Sequence, residues 1–204
     1  MSAGRLFYTS GSPFARMGRV LVREWQLPIL EVQTPFPLPE THFAVNPLGQ
    51  VPVLDLGDEQ VFPTFVVLEK LWTMAGAPAS AYAPELERQS LLTVLQGGDA
   101  LVSALYQQWA GLGPVGANTI GYDPAARNLA RVGSVLAWLD AGAGGRGLRE
   151  GVTLTGVVAA CLVLWAEARD ARTWRLDVLD RIIGDLAQRT SFLETQPPKF
   201  RALA

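Results

Sequence analysis

Apolar and polar positions come in short runs over the first third of the chain and fall at helical spacing over the remainder. Arg5 to Tyr8 is a short apolar and aromatic run suited to a strand. Ser10-Gly11-Ser12-Pro13 then supplies turn chemistry and a helix start, since Pro13 at a first helical position lacks an N–H that would be unpaired there anyway. From Phe14 the apolar residues Met17, Leu21 and Trp25 keep a helical spacing that leaves Arg16, Arg19 and Arg23 largely on other faces, and Pro28 closes the helix. Ile29 to Val32 reads as a second strand. Thr34 to Pro39 is expected to be a loop, because Pro35, Pro37 and Pro39 have no backbone donors. Val51 to Leu56 and Gln60 to Phe62 flank Gly57-Asp58-Glu59 as a hairpin. Thr64 to Met74 is a helix with Val67, Leu68 and Leu71 on one side.

Gly76 to Pro84, with Pro78 and Pro84, has the composition of a linker, and everything beyond it reads as helix. Leu91, Leu95, Val102, Leu105 and Trp109 stripe the first helical stretch, and Leu129, Val132, Val135, Leu136 and Leu139 the second. Val157 to Ala166 is apolar all round, the mark of a helix buried on every side. Leu176, Leu179, Ile182, Ile183 and Leu186 stripe the last. The expected architecture is a small α/β domain over 1–76, a linker over 77–84 and an all-helical domain over 85–204. Gly142, Gly144 and Gly147 satisfy G-x-G-x-x-G, but that pattern binds dinucleotides only between a strand and a helix. Here it follows a helical stripe and reads as an interhelical loop.

Composition narrows the function classes. With 204 residues, 49% hydrophobic and 18% charged, the chain has ample material for a core and no signature of disorder. A net charge of -2 gives no electrostatic footprint for nucleic acid and argues against an anionic membrane surface. The apolar run Val157 to Ala166 falls far short of the roughly 20 residues that span a bilayer. The run from Met1 to Tyr8 lacks the apolar stretch of a signal peptide. The single Cys161 cannot form an intramolecular disulfide, and cytoplasmic residence is expected.

Candidate chemistry gathers at two places. In Asn46-Pro-Leu-Gly-Gln-Val-Pro-Val-Leu54, a cis Val51–Pro52 bond would present the Val51 N–H and C=O sideways to an extended peptide; a structural turn is the competing interpretation. Ser12, just before Pro13, is either an ordinary helix cap or a hydroxyl poised to donate to an anion at a helix start. The second possibility suits a thiolate. Lowering a thiol pKa from about 8.5 by two units takes roughly 2.7 kcal/mol. A helix start offers about 0.3–1 kcal/mol, up to ~2 when partly buried, and a hydroxyl hydrogen bond to an anion roughly 1.5–3 kcal/mol.

NPLGQVPVL resembles the cis-proline segment of glutathione transferases. Ser12-Pro13-Phe14-Ala15-Arg16, Glu69-Lys70-Leu71 and Phe192-Leu193-Glu194-Thr195-Gln196-Pro197-Pro198 agree with that family, and the similarity is closest to bacterial serine-type members. The resemblance implies a thioredoxin-like domain followed by an all-helical one, a homodimer, and a detoxifying transfer of glutathione to a small hydrophobic electrophile. It implies that Ser12 bonds the glutathione sulfur, with Ser10, Thr9 or Tyr8 as alternatives. It gives Val51 the backbone pairing with the cysteinyl unit, Thr64 the γ-glutamyl carboxylate, Gln50 a polar contact and Pro52 the structural cis bond. Glutathione is a co-substrate, and no cofactor or metal is expected.

Two departures stand out. The family usually carries an acid followed by Ser where this chain has Pro63-Thr64, so the partner of the ligand's ammonium group is missing. It usually has Asp three residues after a capping Ser or Thr, where Thr153 is followed by Gly156. A non-catalytic binding or scaffold protein of the same fold is therefore the rival. Absence of a cysteine in the turn disfavours disulfide exchange there. Of the remaining candidates, Cys161 is expected in the core and His42 as an exposed helical residue rather than a metal ligand. Asp99 is either a solvated carboxylate or one that reaches the ligand. Trp109, Tyr106 and Phe36 line either an apolar pocket or the core.

Overall fold

The computed structural model describes residues 4–111, 121, 123–169 and 172–198. The outer ends of the two expected domains, 1–3 and 199–204, lie outside the described residues. The first half runs β1 (Gly4–Tyr8), α1 (Pro13–Glu24), β2 (Ile29–Gln33), a 3-10 turn at Glu40–Ala44, β3 (Val53–Asp55), β4 (Gln60–Val61) and α2 (Thr64–Met74). The second is helical: α3 (Pro84–Trp109), α4 (Pro124–Ala141), α5 (Leu154–Glu167), α6 (Asp177–Ala187) and the short α7 (Thr190–Leu193).

The sheet has the order β2-β1-β3-β4, with β1 parallel to β2 and antiparallel to β3, and β3 antiparallel to β4. The crossover between the parallel pair is α1, as such pairs require. The hairpin strands are shorter than their apolar runs, because Asp55 Oδ1 accepts the Gly57 N–H at 2.9 Å and turns the chain early. Gly57 has a φ of 96°, open to a residue without Cβ.

The arginines of α1 do not lie on an exposed face. Arg16 and Arg19 are buried, because α1 is packed between the sheet and the helical half and has little surface left for solvent. Arg19 lies 4.0 Å over the Tyr8 ring and meets Glu31 at 2.6 Å. Arg16 covers the Phe192 ring at 5.2 Å and donates to the Phe192 carbonyl at 3.1 Å. Helix α1 also stops at Glu24, short of Pro28, where Gln26 takes a φ of 50°.

The segment between α2 and α3 is pinned rather than loose. Trp72 donates to the Pro78 carbonyl at 3.1 Å, the buried Tyr82 ring stands edge-on to Trp72 at 5.3 Å, and Leu154 N–H bonds the Ala81 carbonyl at 3.0 Å. Helix α5 is the axis of the helical half, and its residues from Leu154 to Val163 are all buried. Thr153 accepts the Gly156 N–H at 3.0 Å and donates to the Gly147 carbonyl at 2.7 Å. A Cβ at Gly156 would lie 2.7 Å from that hydroxyl, so the capping box's acid has no room. The bond to Gly147 takes its place. Gly142, Gly144 and Gly147 sit in the loop between α4 and α5, with Gly147 left-handed.

Candidate functional site at one end of the sheet

Strand direction alone gathers the candidate residues. β1 runs antiparallel to β3, so the turn leaving β1 (Thr9–Ser12) and the segment leading into β3 (Val51–Pro52) share one end of the sheet. β4 runs antiparallel to β3 and leaves at that same end, which brings in Pro63 and the start of α2. β2 is parallel to β1 and also leaves there, into the loop that carries Phe36. Neighbouring strands are about 4.8 Å apart, so β1 to β4 is roughly 10 Å. An extended tripeptide covers about the same length.

At the β1 end, Ser12 caps α1. Its side-chain oxygen accepts the Ala15 N–H at 3.1 Å, and the Ser12 N–H bonds the Thr9 carbonyl at 3.2 Å. The cap occupies a lone pair of the hydroxyl, and its proton stays available to an acceptor. The alternatives lie close by. Tyr8 OH donates to Gln33 at 3.4 Å, and its ring lies under Arg19. Thr9 is buried, and Ser10 is half-buried in the same turn.

In the middle, the Val51–Pro52 bond is cis, as are Phe36–Pro37 and Phe62–Pro63. Neither the N–H nor the C=O of Val51 has a backbone partner among the described residues. The approach to Val51 is locked from behind. Asn46 Oδ1 accepts the Leu48 N–H at 3.0 Å, and its Nδ2 donates to the Gln50 carbonyl at 2.8 Å. His42 is not the exposed residue expected from sequence. It is buried, with Nε2 3.0 Å from that same Gln50 carbonyl. The 3-10 turn folds back onto the Asn46–Gln50 turn and carries the imidazole inward. Gly49, with a φ of 59°, permits the turn, and a Cβ there would strike the Phe43 ring at 2.4 Å. The Gln50 residue itself is exposed.

At the β4 end, α2 begins with Pro63 as its cap residue and no side-chain cap. Val66 and Val67 N–H both bond the Pro63 carbonyl, at 2.9 and 3.1 Å. The N–H groups of Thr64 and Phe65 have no such partner, and a helix start of this kind favours an anion.

The helical half closes the site at the β1 end. Trp165 donates from Nε1 to the Gly11 carbonyl at 2.7 Å, and Arg169 donates to the same carbonyl at 3.1 Å. Trp109 meets Trp165 at 5.9 Å between centroids and Tyr106 at 5.3 Å. Trp109 is 37% exposed and Tyr106 47%, so they form a surface wall as well as packing. Phe36 is exposed on its loop. Asp99 lies two turns before Tyr106 on α3 and is exposed, with partial desolvation by its neighbours raising its pKa from the ordinary aspartate value. Cys161 is fully buried, and desolvation pushes its thiol to about 12, which makes it a packing residue rather than a nucleophile. Among the described residues, no group of three or more His, Cys, Asp or Glu is placed to hold a metal. An open groove of about 590 Å³ lies elsewhere, along α3 and α4, lined by Arg88, Gln89, Leu92, Gln96 and Arg131.

Sequence reasoning missed His42, Asn46, Trp165 and Arg169. Asn46 carried a signal, since Asn-Pro followed by Gly favours a side-chain-supported turn. The others act through contacts between residues far apart in the chain.

No protein-family model matches the sequence, and no curated protein matches it either. Solved structures do. A glutathione S-transferase of Methylobacillus flagellatus KT, with glutathione bound, is similar with a TM-score of 0.78 at 25% identity, over 95% of this chain and 99% of that one. One from Methylobacterium radiotolerans JCM 2831, in complex with glutathione sulfonate, gives 0.76 at 23% identity over 98% and 97%. A glutathione transferase family member of Pseudomonas fluorescens Pf-5, with S-(propanoic acid)-glutathione bound, gives 0.72 at 23% identity over 96% and 100%. The chain has the fold of the glutathione transferases, a thioredoxin-like half followed by an all-helical half.

Proposed function

We propose that the protein is a serine-type glutathione transferase that binds glutathione across the end of its sheet and passes the thiolate to a small hydrophobic electrophile. The observation that carries this reading is the convergence of the Ser12 hydroxyl, the unpaired backbone of Val51 and the open N–H groups of Thr64 and Phe65 over the length of a tripeptide. The cysteinyl unit pairs with Val51, the γ-glutamyl carboxylate sits at the start of α2, and Gln50 adds a polar contact. Ser12 donates to the sulfur while its oxygen holds the Ala15 N–H. The hydrogen bond and the start of α1 together favour the thiolate by the roughly 2.7 kcal/mol that a two-unit pKa shift takes. The sulfur then attacks the electrophilic carbon, and the thiol proton is lost to water. Holding the two reactants close supplies the rest.

The expected setting is a cytoplasmic homodimer with glutathione as co-substrate; among the described residues no helix is long and apolar enough to cross a membrane. Calorimetric titration with millimolar glutathione tests the reading. Saturable heat with a rise in melting temperature is expected, and the absence of both contradicts it.

Pro63 favours a second reading, a scaffold that kept the fold and lost tight thiol binding. With no acid there for the ligand's ammonium group, affinity falls by about 1–3 kcal/mol. The wild type separates the two, binding glutathione measurably in the first case and not in the second; introducing the acid by Pro63→Glu is expected to tighten the binding in the first case and to bring it back in the second.

A further inference from the structure

Arg169 follows the end of α5 and is not accounted for by the site above. Its Nη1 donates to the Trp165 carbonyl at 3.3 Å and its Nη2 to the Gly11 carbonyl at 3.1 Å, and the guanidinium lies 4.2 Å over the Trp165 ring. Both acceptors are neutral. Arg19, Arg23, Arg149 and Arg189 each meet a carboxylate, whereas Arg169 has none among the described residues. A guanidinium has five N–H groups, and two are engaged here. Burial lowers its pKa to about 10, so it remains a cation at neutral pH. The Trp165 ring offsets part of the cost of this half-buried cation, and a negative group would complete its shell.

Its position gives that anion a role. Gly11 immediately precedes Ser12, and a Cβ built on Gly11 would stand 3.6 Å from Arg169 Nη2. The Trp165 ring beneath the guanidinium meets Trp109 at a tilt of 57°, and Trp109 meets Tyr106 at 66°; the rings of Trp109 and Tyr106 are partly open to solvent. A cluster of aromatic rings and one partly desolvated cation thus border the turn that holds the hydroxyl.

We propose that Arg169, Trp109 and Tyr106 form the electrophile subsite, and that it selects a planar aromatic electrophile carrying a carboxylate or sulfonate. This rests on the transferase reading above. The ring lies against the aromatic wall, the anionic substituent pairs with Arg169, and the reactive carbon faces the sulfur at Ser12. With an aryl chloride, the sulfur forms the new C–S bond, the C–Cl bond breaks, chloride leaves with the bonding pair, and the thiol proton goes to water.

The test compares a chlorodinitrobenzoate with its methyl ester, each rate divided by its uncatalysed rate, in the wild type, Arg169→Gln and Arg169→Lys. The wild type is expected to favour the carboxylate. Arg169→Gln should lower kcat/KM for the carboxylate about tenfold or more, the loss of a charged hydrogen bond, while the ester changes less than about twofold. The KM for glutathione should stay constant, and Arg169→Lys should keep most of the preference. Equal losses for carboxylate and ester would make Arg169 a strap between the two halves and overturn the proposal. A raised glutathione KM with an unchanged substrate ratio would overturn it too, placing a glutathione carboxylate on Arg169. Should the wild type neither bind glutathione nor conjugate either compound, the transferase reading fails, and fluorescence titration with anilinonaphthalenesulfonate decides the subsite alone. Binding weakened about tenfold by Arg169→Gln and kept by Arg169→Lys would uphold the anion subsite, and unchanged binding would overturn it.

Discussion

The two walls of the candidate site are made of different material. On the sheet side, the groups proposed to meet the ligand are mostly backbone: the Val51 peptide and the N–H groups that open α2. On the helical side they are side chains, Trp109 at the end of α3 and Arg169 just past α5, backed by the buried Trp165. Backbone groups are fixed by strand direction and by turns that a few residues encode. A side-chain wall depends on packing between segments more than fifty residues apart. The first kind should tolerate change in the residues that bear it, and the second should not.

The sharpest break in that contrast is Trp165→Ala. It removes a buried ring and the donor that holds the Gly11 carbonyl, and chemical denaturation should show a loss of about 3–5 kcal/mol. A loss under about 1 kcal/mol would mean that the turn before Ser12 stands without the helical half. Next comes Thr64→Pro. Proline suits a first helical position, so stability should hold while glutathione affinity falls by about 1.5–3 kcal/mol with the deleted N–H. Thr64→Ala removes only the hydroxyl and is expected to cost about 1 kcal/mol of affinity or less. If the alanine variant were the weaker binder, the backbone account of that end would be wrong.

The smallest effect concerns the seam that keeps the two walls together. Glu24 accepts from Arg189 at 2.7 Å and from Ser191 at 2.5 Å, and these bonds hold its pKa below the ordinary carboxylate range. Burial acts to raise Glu31, but Arg23 and Arg19 outweigh it and its pKa is also lowered. A depressed folded pKa contributes stability that is complete above the unfolded value of about 4.3 and is lost as the pH falls through the folded one. Melting temperature should therefore be level from neutral pH to about 5 and decline below about 4, with Glu24→Gln flattening part of the decline. The Arg189 side of the Glu24 pair is exposed, so that pair contributes about 1 kcal/mol or less.

What the sequence made legible follows the same division. Pro13 after Ser12, the prolines around Gly49 and the apolar runs of the strands are local signals, and from them the element order and the sheet-end residues could be read. Helix α5 was legible as a buried helix because it is apolar on every face. The burial of Arg16 and Arg19 was not, since a helix sandwiched between two layers breaks the rule that charged residues mark its solvent face. Nor was His42, which has no pattern around it and earns its place by one contact to the Gln50 carbonyl. Arg169 and Trp165 meet Gly11 across more than 150 residues, a distance no local spacing can encode.

The central claim is that the Ser12 hydroxyl holds the sulfur of bound glutathione as an anion. Following the ultraviolet absorbance of the thiolate against pH, with glutathione saturating the wild type and Ser12→Ala, measures it directly. The account predicts a bound-thiol pKa well under the free value of about 8.5 in the wild type, raised by about one to two units in the variant. The same pKa in both proteins would contradict it.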